Sequence, residues 1–367
     1  MRKLNVGLVG AGFMGKAHSI GYSDMPKYFW PAPAVPVLKT ICDIVPEIAA
    51  DAKERYGYEK CCTDWRDIVN DPEIDVVSVC TPNNAHAQVA IAALNVGKHV
   101  LCEKPIASTL EDAKAMAEAA EKAFARGVIA MNAYQYRRVP AIDLAKKFID
   151  EGSIGQLFNV RCTYLQSWSA DPASPLSWRF QKDIAGAGTL GDIASHVIDI
   201  AQYLAGDIDE VTGMMKTYIT ERPVQEGGVD LLGTVKLGAD AKRKAVDTDD
   251  EDSFLVRFKN GVVGSLYFNY ERLNELQVCF ADDPDDRRGF KTIYTGPAHF
   301  HGEVTWNIPG MNIGYGELKS IETYEFIKAV VEGKRPSTSF AEGYRVERVC
   351  DAVKRSAETG RWEKVAD

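Results

Sequence analysis

Short apolar runs alternate with amphipathic stretches through the first third of the chain, and this alternation restricts the fold more than any other feature. Parallel strands need crossover helices, and strands covered on both faces read as nearly continuous apolar runs. The runs that predict strands are NVGLVG, VLKTICD, DVVSVCTP, KHVLCEKP and VIAMNAYQ. The stretches that predict helices between them are VPEIAADAKERYG, NAHAQVAIAALNVG and TLEDAKAMAEAAEKAFARG. This rhythm predicts βαβ units on a parallel sheet.

The pattern changes after a further helical stretch, VPAIDLAKKFIDEGSIG, because the later strands are longer and alternate apolar with polar residues. They are QLFNVRCTYLQSW, DEVTGMMKTYI, SFLVRFKNGVVGSLYFNY and ELQVCFADD. Lys259-Asn260-Gly261 predicts a hairpin with a type I′ turn, since Asn-Gly tolerates positive φ. Helical patterns return in ELKSIETYEFIKAVVEG and GYRVERVCDAVKRSAETG, whereas AVDTDDEDS is interpreted as a solvated acidic loop. We predict an α/β chain with a parallel-sheet domain in residues 1–133 and a second domain, with a largely antiparallel sheet, in residues 134–367.

Composition and charge argue against several classes of protein. The 367 residues carry a net charge of −9, which disfavours nucleic acid or an anionic membrane as the main partner. No apolar run approaches the roughly 20 residues of a membrane span, and MRKLNVGLVGAG reaches glycines too soon for a signal peptide. The eight cysteines show no Cys-x-x-Cys spacing, and four of them lie in apolar runs, namely Cys42, Cys80, Cys102 and Cys162. We expect a cytoplasmic protein with buried free thiols and no metal site.

A glycine-rich loop, GAGFMG, follows the first predicted strand and opens a helix. Gly10 suits a tight turn, Gly12 permits close approach of a pyrophosphate, and Gly15 permits close packing of helix on sheet. The helix N-terminus, which includes Phe13 and Met14, offers backbone N–H donors to the anion. In this strand–loop–helix context the motif predicts a dinucleotide-binding Rossmann domain.

Asp43 ends the second predicted strand, where a carboxylate can accept hydrogen bonds from the adenosine ribose hydroxyls. The insertion YSDMPKYFWPAPAVPV lengthens its separation from the glycines along the chain. No arginine directly follows Asp43 to receive a 2′-phosphate, so we expect NAD and consider NADP less suited. The alternative is that Asp43 simply forms the turn that ends the strand.

Polar residues also follow the third and fourth predicted strands, at the edge where doubly wound sheets bind ligands. We expect these residues beside the cofactor: Thr81, Pro82, Asn83, His86, Glu103 and Lys104. A lysine in such a crevice can orient a hydroxyl and stabilise its alkoxide. The alternative for Lys104 is an ordinary surface lysine.

The stretch GTLGDIASHVIDIAQYL has the composition of a buried helix, yet Asp192, His196 and Asp199 interrupt it. At about 100° per residue the three fall within a sector of roughly 60°. An imidazole has a pKa near neutrality and suits a base that takes a hydroxyl proton as hydride leaves the same carbon. The alternative for Asp192 and His196 is a buried pair that satisfies its own hydrogen bonds. For Asp199 we expect a buried structural partner.

The chain resembles the glucose–fructose oxidoreductase, inositol dehydrogenase and MocA (Gfo/Idh/MocA) family along its whole length. AGFMGKAH is similar to the family's nucleotide loop, CEKP to its Glu-Lys-Pro motif, and GAGTLGDIASHVID to its glycine-rich lead into Asp-x-x-x-His. The resemblance implies an N-terminal Rossmann parallel sheet and a C-terminal α/β domain with an open, mostly antiparallel sheet. It also implies homodimers or homotetramers that assemble through that sheet, and oxidation of secondary hydroxyls of sugars or cyclitols.

By this resemblance Lys104, Asp192 and His196 form a catalytic triad. His196 is the expected base, Lys104 stabilises the alkoxide, and Asp192 binds and orients a substrate hydroxyl. With an ordinary imidazole pKa, oxidation is expected to rise with pH through an ionisation near neutrality.

The segments YQYRRVP and YLQSWSADPASPLSWRFQ interleave aromatic rings with amides and arginines, as sugar sites do. Within the family they look most like the levoglucosan dehydrogenases. That likeness assigns to substrate binding, beside the two helix residues Asp192 and His196, the side chains Tyr136, Gln166, Trp168 and Arg179. Gln135 stands where the family more often has asparagine. The alternative for Trp168 and Trp178 is a position in the core.

Taken together, the motifs favour an NAD-dependent dehydrogenase of a sugar, anhydrosugar or cyclitol. An NAD-using glycosidase of the same fold is a second interpretation, but such enzymes usually depart from Glu-Lys-Pro, which is intact here. A non-catalytic sugar or cofactor sensor is a third, and a sensor has no need of the complete Lys-Asp-His set.

Overall fold

Six parallel strands form the N-terminal sheet of the protein, for which a computed structural model describes residues 1–224, 241–268, 275–280, 283–284, 289–304 and 313–366. The strands are β1 (Lys3–Val9), β2 (Val35–Cys42), β3 (Lys60–Cys62), β4 (Val76–Val79), β5 (His99–Cys102) and β6 (Ala130–Asn132). They lie in the order β3-β2-β1-β4-β5-β6 with every neighbouring pair parallel, which confirms the predicted sheet. The strand order reverses direction between β1 and β4, where sheets of this kind bind ligands.

Helices cover both faces of this sheet. They are α1 (Phe13–Tyr28), α2 (Pro46–Tyr56), α3 (Trp65–Asn70), α4 (His86–Asn95) and α5 (Leu110–Phe124). The central strands are buried, as a sheet covered on both faces requires. Strand β3 was not predicted, because the side chains of this edge strand are mostly exposed and form no apolar run. Helix α3 was not predicted either, since it is too short to show a helical period.

The second sheet is mixed. The strands of the C-terminal part are β7 (Asn159–Tyr164), β8 (Ile208–Lys216), β9 (Glu221–Pro223), β10 (Arg243–Ala245), β11 (Glu251–Phe258), β12 (Val263–Phe268), β13 (Glu275–Val278), β14 (Lys291–Tyr294) and β15 (Glu363–Lys364). Five of them form a sheet in the order β15-β8-β11-β12-β7, in which the β12–β7 pair is parallel and the other three pairs are antiparallel. This confirms the prediction of a mostly antiparallel second sheet.

Helices cover one face of the five-stranded sheet, whereas no described helix or strand covers the other, which is called the open face. The helices of this part are α6 (Pro140–Asp150), α7 (Lys182–Ala185), α8 (Ser195–Ala205), α9 (Tyr315–Glu332) and α10 (Phe340–Thr359). The covered face, where Val211 and Val256 are buried, packs against α8 and α10. The opposite face leaves Met214, Leu255 and Val263 exposed. Helix α9 instead returns to the N-terminal domain and packs along α1.

The hairpin between β11 and β12 forms as predicted, but its turn is not type I′. That turn needs positive φ at both central residues, and here Gly261 has φ of 86° while Asn260 does not lie in the positive region. The Phe258 N–H donates to the Val262 carbonyl at 2.9 Å across a longer loop. The Asn260 side chain donates to the Ala205 carbonyl at 2.7 Å, so it anchors the turn to the end of α8.

The acidic segment AVDTDDEDS is not a solvated connection, so that interpretation was wrong. Its carboxylates accept hydrogen bonds from backbone N–H groups elsewhere: Asp247 from Lys182 at 2.7 Å and Asp250 from Tyr218 at 2.7 Å. Asp249 is buried and binds the backbone that precedes α8. Composition alone could not reveal these contacts, because the partners lie far away along the chain.

All eight cysteines are free. Cys42, Cys102 and Cys162 are buried as predicted, whereas Cys80 is half-buried. A search of the described helices finds none that is long and apolar enough to cross a membrane.

Candidate active site

The glycine loop lies between β1 and α1, and two of its glycines are required by close contacts. Gly10 has φ of 98°, and a Cβ there would lie 2.5 Å from the Cys80 carbonyl oxygen. A Cβ on Gly15 would lie 2.1 Å from the Gly10 carbonyl oxygen, so α1 could not approach the sheet. Gly12 precedes α1 without a side-chain cap, which leaves the first N–H groups of the helix, from Phe13 onward, free of capping groups. The loop is a cradle for an anionic group.

Asp43 lies beside this loop. Its Oδ2 accepts a hydrogen bond from the Ala11 N–H at 3.0 Å, and its Oδ1 accepts one from the Val45 N–H at 3.0 Å. The carboxylate therefore forms the strand-end turn and also contacts the glycine loop. A role in the turn that ends the strand is therefore compatible with a position from which the carboxylate can reach a ribose.

The loops after β4 and β5 are tied to each other by a buried histidine. The ring nitrogens of His86 lie 3.0 Å from the carbonyl oxygens of Thr81 and Pro105. Asn83, which follows Pro82 at the end of the first loop, donates from Nδ2 to the Ala185 carbonyl at 2.9 Å. The polar atoms of His86 thus face the protein, and this residue links the loops around the crevice.

Glu103 is buried in a cluster of charged side chains behind Lys104. Its Oε1 accepts from Lys319 Nζ at 2.7 Å and lies 2.8 Å from His18 Nε2, while its Oε2 accepts from the Lys104 N–H at 3.1 Å. Lys319 also donates to Glu322 Oε2 at 2.8 Å. Burial would raise the pKa of Glu103, but the Lys319 ammonium holds it well below its usual range. The cluster therefore anchors the backbone of Lys104.

This cluster includes three groups that could share a metal ion, namely His18, Glu103 and Glu322. The Lys319 ammonium contacts both carboxylates, so a cation of the protein already lies between them. Lys319 was not predicted, because α9 lies far along the chain from the Glu-Lys-Pro motif and no local pattern links the two.

Tyr315, the first residue of α9, also contacts the nucleotide loop. Its ring centroid lies 5.9 Å from that of Phe13, and its hydroxyl donates to Met14 Sδ at 3.4 Å. Helix α9 therefore supports the start of α1 as well as Lys104.

The helix that carries Asp192 and His196 begins with a π-helical turn, Leu190–Ala194, before α8. The sequence predicted regular helix here, so the π turn is a correction; such turns occur often at functional sites. Lys104 Nζ donates to Asp192 Oδ1 at 2.7 Å, and Arg179 Nε lies 4.0 Å from Asp192 Oδ2. Burial alone would raise the pKa of Asp192, but Lys104 and Arg179 bring it down to about 2. Asp192 is therefore a carboxylate at neutral pH.

His196 lies one turn further on, buried among tyrosines. Its ring centroid lies 4.5 Å from that of Tyr136, 5.8 Å from that of Tyr134 and 6.1 Å from that of Tyr164. Burial and the nearby Lys104 charge lower the pKa of His196 well below its ordinary value. This shift favours a neutral imidazole at physiological pH, in place of the ionisation near neutrality that an ordinary imidazole pKa implies. Its Nδ1 has no hydrogen-bond partner within the described part of the chain.

Asp199, on the same helix, is a structural partner as expected. Arg137 Nε donates to both of its carboxylate oxygens, at 2.9 and 2.8 Å, and both side chains are buried. Asp199 therefore holds the helix against the segment that follows β6.

A cavity of about 710 Å³ opens beside Asp192, and several residues that the sequence assigned to substrate binding line it. They are Gln166, Trp168 and Arg179. Trp168 is 41% exposed, so the alternative that places it in the core is wrong. Tyr136 is buried behind the wall, where its hydroxyl lies 2.8 Å from that of Tyr164, and Gln166 Nε2 donates to the same Tyr164 hydroxyl at 2.7 Å. The guanidinium of Arg179 stacks 4.4 Å above the half-buried ring of Trp178.

Comparison with known proteins places this geometry among NAD-binding oxidoreductases. Levoglucosan dehydrogenase of Pseudarthrobacter phenanthrenivorans is 52% identical over 389 residues, with 100% of this chain and 99% of that protein covered. Myo-inositol 2-dehydrogenase of Thermotoga maritima is 26% identical and covers 99% of both chains. A solved structure of levoglucosan dehydrogenase in complex with NADH and levoglucosan superposes with a TM-score of 0.91 at 50% identity, over 100% of both chains.

The family models agree with these relatives. Residues 4–131 match the model described as oxidoreductase family, NAD-binding Rossmann fold, and residues 142–279 match the GFO/IDH/MocA C-terminal domain. Together the two matches cover well over half of the chain. The protein belongs to the Gfo/Idh/MocA family of NAD-dependent oxidoreductases.

Proposed function

We propose that this protein oxidises a secondary hydroxyl of levoglucosan. The observation that carries the proposal is the contact of Lys104 with Asp192, on the helix that also bears His196, at the edge of a cavity lined by aromatic and polar side chains. The 52% identity to a levoglucosan dehydrogenase supports this anhydrosugar as the substrate.

The residues around the glycine loop fit NAD. When bound, NAD supplies the acceptor for the hydride that leaves the substrate carbon. Residues that would hold it are Gly10, Gly12, Phe13, Met14 and Gly15 at the pyrophosphate, Asp43 at the ribose, and Thr81, Pro82 and Asn83 along the sheet edge. His86 and Glu103 support these loops from behind. The Asp43 carboxylate would repel a 2′-phosphate, which favours NAD over NADP.

Three side chains, those of His196, Lys104 and Asp192, have separate roles in removal of the hydroxyl proton. His196, neutral and buried, accepts the proton of the reacting hydroxyl. Lys104 carries a positive charge next to the reacting oxygen and stabilises the alkoxide as the proton leaves. Asp192 stays ionised, holds Lys104 in place and accepts a hydrogen bond from a second substrate hydroxyl.

The side chains of the cavity wall match the C–H groups and hydroxyls of a small sugar. Trp168 offers an aromatic face to C–H groups, while Gln166 and Arg179 offer donors to hydroxyls. Tyr136 orients Gln166 through the Tyr164 hydroxyl. In this arrangement residues 1–133 hold the cofactor and residues 134–367 hold the sugar.

A substrate screen tests the proposal. NADH formation is followed with levoglucosan, myo-inositol and glucose, and levoglucosan is expected to give the highest kcat/KM. A higher kcat/KM with myo-inositol or glucose would contradict the substrate assignment. If the protein binds NADH tightly but oxidises none of these sugars, the interpretation as a non-catalytic sensor would be favoured over the interpretation as an enzyme.

We also infer a homodimer or homotetramer that assembles through the open face of the second sheet. The exposed apolar side chains of Met214, Leu255 and Val263 on that face support this, since such a patch is usually covered by a partner. Sedimentation velocity tests this inference. The wild-type protein should sediment as an oligomer and the Leu255→Lys variant as a monomer, whereas a monomeric wild type contradicts the inference.

The free thiols support the expected cytoplasmic location.

A further inference from the structure

Asp249 accepts hydrogen bonds from three successive backbone N–H groups at the start of the catalytic helix. This name is used for the π turn Leu190–Ala194 together with α8, which carry Asp192 and His196. The carboxylate accepts from the Gly188 N–H through Oδ1 and from the Leu190 N–H through Oδ2, both at 2.7 Å. The Asp249 carbonyl oxygen accepts from the Thr189 N–H at 3.0 Å. These contacts satisfy donors that a helix start otherwise leaves unpaired.

The contact is too close to tolerate a side chain on the helix lead. A Cβ on Gly188 would lie 2.0 Å from the Asp249 carbonyl oxygen. A Cβ on Gly186, in the same lead, would lie 2.1 Å from the Ser108 carbonyl oxygen. The glycines of the GAG sequence therefore let the lead fit between two fixed pieces of backbone.

The position of this contact matters for the chemistry. Asp192 follows Leu190 by two residues and lies in the π turn, and its side chain must meet Lys104 from the other domain. A carboxylate at a helix N-terminus is also stabilised by the helix dipole, so the contact is strong as well as short. A shift of the helix start would move Asp192 and then His196 relative to Lys104.

We propose that Asp249 is a positioning residue, which holds the start of the catalytic helix so that Asp192 and His196 are aligned with Lys104. The proposal rests on the catalytic roles given above. Asp249 lines the cavity, and both of its carboxylate oxygens accept from backbone N–H groups of the helix start, so we assign its role to the position of the helix.

A residue of the same acidic segment offers a matched control. Asp247 Oδ1 accepts from the Lys182 backbone N–H at 2.7 Å, and Asp247 is not among the described residues that line the cavity. Asp247→Asn therefore removes the same charge and a comparable hydrogen bond without touching the catalytic helix or the cavity.

The experiment compares Asp249→Asn with Asp247→Asn in the full-length enzyme. In Asp249→Asn the new amide NH₂ faces a backbone N–H, so one bond is lost and the helix start shifts. We expect kcat with levoglucosan to fall by about tenfold or more, because small misplacements of catalytic groups are costly. NADH affinity should stay within about twofold of wild type, since the glycine loop is untouched, and Asp247→Asn should keep nearly full kcat.

Two results would overturn the proposal. Equal losses of kcat in both variants would show a general effect of loop charge or stability. A raised KM for the sugar at unchanged kcat would show that Asp249 contacts the substrate directly. Should Asp249→Asn fail to fold, Gly188→Ala displaces the same contact with the charge intact and must lower kcat for the proposal to stand.

A second measurement separates this proposal from the proposed function. Amide hydrogen exchange on the wild type and on Asp249→Asn needs no substrate. Faster exchange at residues 188–192 in the variant supports the contact even if levoglucosan proves not to be a substrate, whereas unchanged exchange contradicts it.

Discussion

Lys104 is bound twice by Asp192, a residue 88 positions away: Nζ donates to the Asp192 backbone carbonyl at 2.6 Å and to Oδ1 at 2.7 Å. Lys104 follows β5, and Asp192 lies in the π turn that precedes α8. The contact therefore joins the N-terminal sheet to the helix that bears His196. It holds together two members of the proposed catalytic set.

Replacement of Lys104 by methionine keeps the bulk of the side chain and removes the charge and both bonds. We expect kcat to fall by about 10²–10⁴-fold, as for loss of a group that stabilises the transition state. NADH affinity, measured by fluorescence titration, should change little.

Lys98 provides the control for this substitution. Lys98 is buried, and its Nζ donates to two backbone carbonyls, those of Asp71 and Ile74, at 2.6 and 2.7 Å. Lys98→Met should lower Tm and leave kcat near the wild-type value. If Lys98→Met lost as much kcat as Lys104→Met, the loss would reflect stability and not chemistry.

The lowered pKa of His196 determines the pH profile. Burial and Lys104 disfavour the imidazolium, so the acid limb of kcat/KM should lie well below the ordinary imidazole pKa of about 6.5, with little change between about pH 6.5 and 8. As pH falls through the folded-state pKa, His196 is protonated and oxidation is lost.

Two variants identify the residue whose protonation causes the acid limb of the kcat/KM profile. Lys104→Met removes a neighbouring cation, so the pKa of His196 should rise and the limb should move toward neutrality in the remaining activity. His196→Gln should abolish the limb. Persistence of the limb in His196→Gln, with its loss in Lys104→Met, would show that Lys104 is the base.

Asp43→Ala tests the cofactor assignment. The variant loses the hydrogen bonds proposed to the ribose and the existing bond to the Ala11 N–H, so NAD affinity should fall by about 1–3 kcal/mol and rejection of NADP should relax. The control is Asp64→Ala, which removes a carboxylate that follows β3, the strand next to β2. This variant should keep the preference for NAD over NADP. A wild type that uses NADP better than NAD contradicts the role of Asp43.

Local patterns in the sequence predicted much of the fold and part of the site. The glycine loop was predictable because Gly10 and Gly15 serve turns and contacts within a few residues of each other along the chain. The helix with Asp192 was predictable from its composition, but its π turn was not, since one extra residue per turn leaves no mark on an apolar pattern. The contacts of Asp249 and Lys319 join segments about 60 and 216 residues apart, and no periodicity carries such information.

The most direct test of the catalytic set is the turnover of levoglucosan by wild type, Asp192→Asn, His196→Gln and the double variant, each shown to bind NADH. Residues that act as a unit give non-additive losses. We expect each single variant to lose about 10²–10⁴-fold in kcat, and the double variant to be little worse than the poorer single one. Losses that multiply in the double variant, or a His196→Gln enzyme that turns over levoglucosan like wild type, would contradict a shared catalytic role for Asp192 and His196.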